Sequence, residues 1–169
     1  MKLSLSRAFD WILYAALAAT ALIFVSRKMS GPDEGEAAAH FDLPIVGDSG
    51  ARFRLDEHRG KPVLVEVFAG WCGACRRAAP AVADAWKKHG QGRVAFLGVS
   101  VDSSAEDALR VKRDWEIPYD VALDDGSLSK SYGIEALPTF VLIGRDGLVL
   151  RVSTGAPSRS ELERWLTDL

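Results

Sequence analysis

The sequence contains few of the residues that bind metal ions. Its 169 residues include two cysteines and three histidines. The histidines, His40, His58 and His89, have no spacing typical of metal ligands. A structural zinc site usually takes four protein ligands, so this composition argues against one. We interpret each histidine as an ordinary surface residue.

The chain also lacks an excess of either charge. Lysine and arginine number 21 and aspartate and glutamate 23, which gives a formal net charge of −2 at pH 7. This value gives no electrostatic reason to expect nucleic acid as a partner. The sequence shows no internal repeat and no long low-complexity tract. Its composition is ordinary for a globular protein, and its length suits one domain with a tail.

Residues 8–25 are a long apolar run with Asp10 as the only charge. A helix needs about 17–25 such residues to cross a bilayer. Trp11 and Tyr14 lie near one end of the run, and aromatic rings favour the membrane interface. We therefore predict that residues 1–28 form a signal anchor with one transmembrane segment.

A cleaved signal peptide and a buried core helix are the alternatives for this run. The alanines at 37–39 lie too far beyond it for a usual cleavage site, and the run exceeds the ~7–15 residues of a signal peptide's apolar region. Charge leaves the orientation open, because two basic residues precede the run and two follow it.

Residues 29–40 are polar, contain glycine and proline and show no apolar period, so we interpret them as a linker. Residues 41–169 then form the folded domain. Strand-like and helix-like segments alternate within it, which predicts an α/β fold with a central mixed sheet flanked by helices. The predicted strands cover 52–55, 62–68, 93–101, 121–123, 139–143 and 148–152, and the predicted helices cover 74–89, 104–115, 127–132 and a last helix capped by Ser158.

Cys72 and Cys75 lie in the motif WCGAC, where the apolar segment 62–68 ends and a helix is predicted to begin. As a structural staple they would close a very short loop, and stabilisation by a disulfide grows with loop length. Two thiolates could also bind copper(I). A redox pair explains more, because the helix N-terminus would stabilise a Cys72 thiolate for attack on a substrate disulfide. Cys75, buried one turn deeper, would then resolve the mixed disulfide.

Glu66 lies in the middle of the strand-like segment KPVLVEVF. Alternation puts Leu64, Glu66 and Phe68 on one face. Both faces of the segment are apolar, so we expect a central strand with Glu66 pointing into the protein. Burial raises the pKa of a carboxyl group, and near Cys75 this group could accept the proton that resolution releases. The alternative is a glutamate at a strand end that reaches solvent.

Several segments of the domain form a combined pattern. They are FDLP at 41–44, GKPVLVEVFAGWCGAC at 60–75, GVSVD at 98–102 and YGIEALPTFVLIGRDG at 132–147, together with Pro80 eight residues beyond Cys72. With this pattern the chain resembles the thioredoxin superfamily over residues 41–169. It is most similar to the membrane-tethered TlpA/ResA-like thiol-disulfide oxidoreductases, whose domain is of the redoxin or AhpC/TSA type.

The resemblance implies a thioredoxin fold with an inserted helix and strand around residues 104–123. It also implies a set of catalytic residues. These are Cys72 as the nucleophile, Cys75 as the resolving thiol, Glu66 as the buried acid and Pro138 as a cis-proline. We assign substrate binding to the residues around them, namely Trp71, Gly73, Ala74 and Leu137. The backbone of Leu137 could pair with an extended substrate, in the manner of an added strand.

Three features differ from relatives of this type. The dipeptide Gly73-Ala74 stands where thioredoxin has Gly-Pro, and the strand 93–101 has no lysine to partner Glu66. The segment before Pro138 lacks the Gly-x-Pro-Glu pattern of cytochrome c maturation relatives. A peroxiredoxin would also have threonine three residues before a lone reactive cysteine, where this chain has Ala69.

We therefore expect a monomeric enzyme that exchanges disulfides with protein substrates, as a reductase, with no metal and no cofactor. The resemblance places the domain on the periplasmic side of the inner membrane, with the N-terminus inside, and implies a membrane electron donor. A copper(I)-binding metallochaperone is one alternative. A periplasmic disulfide oxidase or isomerase with a cleaved signal is the other.

Overall fold

The computed structural model describes residues 5–29 and 31–169, with side chains described at 10–22 and from 31 onward. The first helix, α1, covers Leu5–Met29. Its described side chains are exposed, so this part is not a buried core helix. Both ends of the predicted membrane span lie outside the described side chains. Of the helices in the part of the chain that is described, none is both long and apolar enough to cross a membrane.

The residues that follow form an α/β domain. Its strands are β1 Asp42–Pro44, β2 Arg52–Arg54, β3 Val63–Phe68, β4 Ala95–Ser100, β5 Asp120–Leu123, β6 Thr139–Ile143 and β7 Val149–Thr154. Its helices are α2 Gly73–His89, α3 Ala105–Asp114, α4 Ser127–Ser131 and α5 Arg159–Thr167, with a short 3-10 helix at Leu55–His58.

Five strands form the central sheet in the order β5-β4-β3-β6-β7. β3, β4 and β5 run parallel to one another, whereas β6 is antiparallel to both β3 and β7. The predicted mixed sheet is therefore confirmed. The inserted element is also present, since α3 leads into β5 at the edge of the sheet beyond β4.

β3 is the central strand, and all six of its residues are buried. Val63, Val65 and Val67 belong to the apolar cluster on one side of the sheet. Leu64 and Phe68 belong to the cluster on the other side, which also contains both cysteines. By alternation Glu66 lies on this second side, as predicted.

Segments that precede β3 pair with part of each edge of the five-stranded sheet. At the β7 edge, the Gly35 N–H donates to the Val149 carbonyl at 2.8 Å, and the Val149 N–H donates to the Glu36 carbonyl at 2.8 Å. At the β5 edge, the Val46 N–H donates to the Val121 carbonyl at 2.8 Å. Part of the predicted linker is thus hydrogen-bonded to the domain, because its backbone pairs with an edge strand.

Two local features differ from the sequence interpretation. β1 was not predicted; it pairs antiparallel with β2, and three residues are too few to show an alternating pattern. The prediction that His89 lies at the surface is wrong. His89 is buried at the end of α2, where its Nε2 lies 3.2 Å from Glu163 Oε2 because α5 packs against α2.

Candidate active site at the Cys72–Cys75 pair

The two cysteines are joined by a disulfide, with 5.3 Å between their Cα atoms. Cys72 is the N-cap of α2, and its Sγ accepts a hydrogen bond from the Cys75 N–H at 3.1 Å. Cys72 keeps 7% of its surface exposed, whereas Cys75 keeps none. The N–H groups and the dipole at a helix N-terminus stabilise negative charge. The position therefore favours a thiolate at Cys72, which is also the cysteine of the pair that keeps exposed surface.

The turn between β3 and α2 is held by an aspartate from the end of β4. The Gly70 N–H donates to both carboxylate oxygens of Asp102, at 2.9 and 3.0 Å. The Ser100 hydroxyl donates to the same carboxylate at 2.7 Å. A Cβ atom at Gly70 would lie 2.7 Å from Cγ2 of Val111 on α3. Only glycine fits here without a shift, and the inserted helix therefore packs directly against the turn that carries Trp71 and Cys72.

Sequence reasoning did not find Asp102 or Ser100. One signal was available, because the apolar run RVAFLGVSV contains a serine and is followed directly by aspartate. β3 and β4 are parallel neighbours, so their carboxyl ends meet at the same edge of the sheet. A polar residue at the end of one strand can therefore reach the turn that follows the other.

An open groove of about 710 Å³ lies between the Trp71 turn and α3. Trp71 is 75% exposed at its rim. The lining carries both charges. The basic residues are Arg76 and Arg110, and the acidic residues are Asp102, Asp107 and Asp114.

The predicted substrate-binding residues differ in exposure. Trp71 and Gly73 are exposed and Ala74 is half-buried. A Cβ atom at Gly73 would have only Arg77 Nη1 nearby, at 3.5 Å, so this side of the disulfide is open. Their contact with a substrate stays a prediction.

The Leu137–Pro138 bond is cis, as the resemblance implied. Pro138 is buried, and its carbonyl accepts a hydrogen bond from the Gly155 N–H at 2.7 Å. The Thr139 hydroxyl donates to the Ala136 carbonyl at 2.7 Å. Leu137 is half-buried and packs against both apolar clusters. These contacts hold the loop before β6 in one conformation, and its role in substrate binding stays a prediction.

Glu66 is buried, with 3% of its surface exposed. Burial raises the pKa of its carboxyl group to about 7. A hydrogen bond from the Tyr119 hydroxyl to Glu66 Oε2, at 2.7 Å, acts in the opposite direction because it stabilises the ionised form. The carboxyl group can therefore gain and lose a proton near neutral pH, on the side of β3 that faces the cysteine cluster.

Tyr119 is a second residue that sequence reasoning missed. It precedes β5, 53 positions from Glu66 in the chain, so no spacing connects the two residues. An aromatic residue at the start of an apolar strand is also what an ordinary core position shows.

Metal-binding groups of three or more His, Cys, Asp or Glu side chains do not occur within the described residues. Copper(I) binding by two thiolates would involve only the cysteine pair, so this alternative stays untested.

Residues 35–152 match the sequence model of the AhpC/TSA family. Among relatives, the thiol-disulfide oxidoreductase ResA of Bacillus subtilis is 27% identical over 156 residues, which cover 92% of this chain and 86% of ResA. The thioredoxin-like protein YneN of the same organism is 25% identical over 144 residues, or 83% of each chain.

Among solved structures, a candidate thiol:disulfide interchange protein DsbE from Chlorobium tepidum superimposes with a TM-score of 0.75. It is 27% identical, and the alignment covers 82% of this chain and 98% of the other. The lipoprotein thioredoxin Etrx1 of Streptococcus pneumoniae gives a TM-score of 0.67 at 25% identity, with 78% and 100% covered. The chain therefore belongs to the AhpC/TSA family, as a ResA-like thiol-disulfide oxidoreductase with a thioredoxin fold.

Proposed function

We propose that this oxidoreductase reduces disulfide bonds in proteins on the periplasmic side of the inner membrane, to which its N-terminal segment tethers it. The observation that carries the proposal is the asymmetry of the cysteine pair. Cys72 caps the N-terminus of α2 and keeps 7% of its surface exposed, whereas Cys75 keeps none. One sulfur is placed for attack on another molecule, and the other is placed to act only on the first.

The first step starts from the reduced pair. The Cys72 thiolate attacks one sulfur of the substrate disulfide, and the other substrate sulfur leaves as a thiolate and takes a proton from water. A mixed disulfide between Cys72 and the substrate remains. The helix N-terminus stabilises the attacking thiolate.

The second step releases the substrate. Cys75 gives its proton to the Glu66 carboxylate, its thiolate attacks Cys72 Sγ, and the second substrate sulfur leaves as a thiolate and takes a proton from water. Glu66 then returns its proton to solvent. The substrate has then gained two electrons and two protons, and the enzyme holds the Cys72–Cys75 disulfide seen in the structure. A dithiol donor must reduce this disulfide before the next turnover.

The reductase direction and the location are supported by the resemblance to the TlpA/ResA-like branch. The Glu66 relay does not choose a direction, because by reversibility the same carboxyl group can return the proton to Cys75. The tether is supported by the apolar run at 8–25 and by the exposed large apolar side chains of α1, such as Trp11, Leu17 and Leu22. Exposed apolar surface of this kind suits a lipid environment.

Replacing each cysteine should separate the two steps. In Cys72→Ser, reduction of insulin disulfides should fall to the uncatalysed rate, since the attacking sulfur is gone. In Cys75→Ser, attack should continue, but mixed disulfides with the substrate should accumulate, detectable by non-reducing electrophoresis and mass spectrometry. If Cys75 proves to be the thiol that is alkylated first in the reduced protein at neutral pH, the assigned roles are wrong.

Glu66→Gln keeps the size of the side chain but removes the proton acceptor. Resolution of the mixed disulfide should slow by roughly 100-fold, the usual scale of general-base catalysis, whereas the first attack should change little. In the unmodified protein, resolution should accelerate as the pH rises through about 7, where Glu66 ionises. Rapid acid quenching at pH 6–9 measures both steps, and Glu106→Gln, at an exposed position on α3, is the control. Equal resolution rates in Glu66→Gln and the unmodified protein would exclude the relay.

The same variant should change the pH dependence of stability. The native state keeps the Glu66 proton up to about pH 7, whereas the unfolded chain loses it near 4.5. The native state thus binds more protons between these values, and the free energy of unfolding falls as the pH rises through them. Glu66→Gln lacks this fall. Measured by urea unfolding, the free energy of unfolding of Glu66→Gln should equal that of the unmodified protein below pH 4.5. Above pH 7 it should exceed it by about 3 kcal/mol.

The direction can be tested with the reduction potential of the full chain, measured in defined dithiothreitol or glutathione buffers. A reductase should have a value near that of thioredoxin, about −270 mV. A value near that of the oxidant DsbA, about −120 mV, would reverse the proposed direction without affecting the roles of the cysteines.

The tether predicts how the protein fractionates. The full chain should stay with membranes after an alkaline carbonate wash, because a spanning helix is not released by high pH. A chain that begins at residue 31, which keeps the contacts of Gly35 and Glu36 with β7, should be soluble and active. Release of the full chain, or a mature N-terminus near His40, would point to a cleaved signal.

A further inference from the structure

The inserted element, α3 with β5, contacts the buried carboxyl group of Glu66 through the side chain of Tyr119. α3 ends at Asp114, and the chain reverses at Glu116, which has a left-handed backbone with φ +53°. Tyr119 and Val121 then point into the cysteine cluster, while Asp120 between them is exposed. This alternation directs the Tyr119 hydroxyl to Glu66 Oε2 at 2.7 Å.

A glycine on β4 leaves the space through which this ring reaches the acid. Gly98 pairs in register with Glu66 on the neighbouring strand. A Cβ atom at Gly98 would lie 2.9 Å from Phe68 Cε1 and 3.4 Å from Tyr119 Cε2. The ring also packs against Phe96, with 5.7 Å between ring centroids. The residue of β4 that lies next to Glu66 therefore has no side chain that could bind the carboxyl group. The ring of Tyr119, from the inserted element, occupies the space instead.

We propose that Tyr119 is a positioning residue whose hydroxyl group orients the Glu66 carboxyl group and stabilises its ionised form for proton transfer. The inference rests on the relay role proposed for Glu66. The hydroxyl suits a permanent donor, because burial and the adjacent carboxylate raise the pKa of Tyr119 well above its usual value. Tyr119 therefore keeps its proton while Glu66 titrates.

The surroundings of Glu66 offer few other groups that titrate. Its partners in the sheet, Gly98 and Phe140, carry no ionisable group. The buried His89 at the end of α2 is engaged by Glu163 of α5. The cluster that surrounds Glu66 consists of the two cysteines and of apolar side chains, which include Val82 and Ala85 of α2, Ala108 and Val111 of α3, Leu142 of β6, and Leu162 and Leu166 of α5. The hydrogen bond from Tyr119 is thus the interaction that offsets the effect of burial on the Glu66 carboxyl group.

Tyr119→Phe removes the hydroxyl and keeps the ring. In the full chain, the titration midpoint of the Glu66 carboxyl carbon, followed by ¹³C NMR, should move up by about one to two pH units, the scale of a hydrogen bond to a charged group. The pH profile of mixed-disulfide resolution should shift in the same direction. A residue that only filled space would change stability and leave both midpoints in place, so unmoved or lowered midpoints would overturn the proposal.

Tyr132→Phe is a matched control. The Tyr132 hydroxyl donates to the Ala39 carbonyl at 2.8 Å, and this residue is also buried, but in the cluster on the other side of the sheet. Removing its hydroxyl should leave the Glu66 midpoint unchanged. An equal shift in both variants would mean a general effect of losing a buried hydroxyl, and would overturn the specific role of Tyr119.

The two proposals fail in different ways. A normal resolution rate in Glu66→Gln overturns the relay, whereas an unmoved Glu66 midpoint in Tyr119→Phe overturns the role of Tyr119 alone. In the Glu66→Gln background, Tyr119→Phe should no longer affect the pH profile of resolution.

If Tyr119→Phe does not fold, the unmodified chain still gives a test. The ¹³Cζ resonance of Tyr119 should then change with the midpoint of Glu66, while that of Tyr132 stays constant. A Tyr119 resonance that does not respond would overturn the proposal.

Discussion

Burial of β3 on both faces is the constraint on which the active site depends. Because β3 lies between β4 and β6, its position and direction in the sheet are fixed. The turn after Phe68 therefore emerges at the end of the sheet where β4 also ends. Asp102 binds the Gly70 N–H at that edge. α2 then begins at a defined point, with Cys72 at its N-terminus.

The same burial makes an ionised Glu66 unfavourable and raises the pKa of its carboxyl group. A carboxylate in the interior is unfavourable unless hydrogen bonds stabilise it. A glutamate in water, in contrast, loses its proton near pH 4.5, which makes it too weak a base to accept a proton at neutral pH. The site lies between these limits, because the apolar cluster raises the pKa and a phenol lowers it again. The inserted element supplies that phenol, and through Val111 it also packs against Gly70. An addition to the edge of the fold therefore contacts both the buried carboxyl group of Glu66 and the turn before Cys72.

Local sequence patterns predicted the residues whose environment is set by their neighbours in the chain. The run VLVEVF indicated a strand buried on both sides, and WCGAC after it indicated a sulfur at a helix start. Tyr119 and Asp102 were not predicted, because their partners lie 53 and 32 positions away and each contact depends on how strands are ordered in the sheet. His89 was misplaced for the same reason, since only the packing of α5 against α2 buries it. Comparison with the family predicted the cis bond at Pro138, which the local sequence alone did not.

Segments from earlier in the chain pair with part of each edge of the sheet. Backbone from residues 35 and 36 pairs with Val149 of β7, and Val46 pairs with Val121 of β5, so part of each edge is already hydrogen-bonded within the chain. Exposed edges are where sheets of different molecules join and aggregate. A strand from another copy would first have to displace these segments, which makes association of two sheets through their edges less favourable.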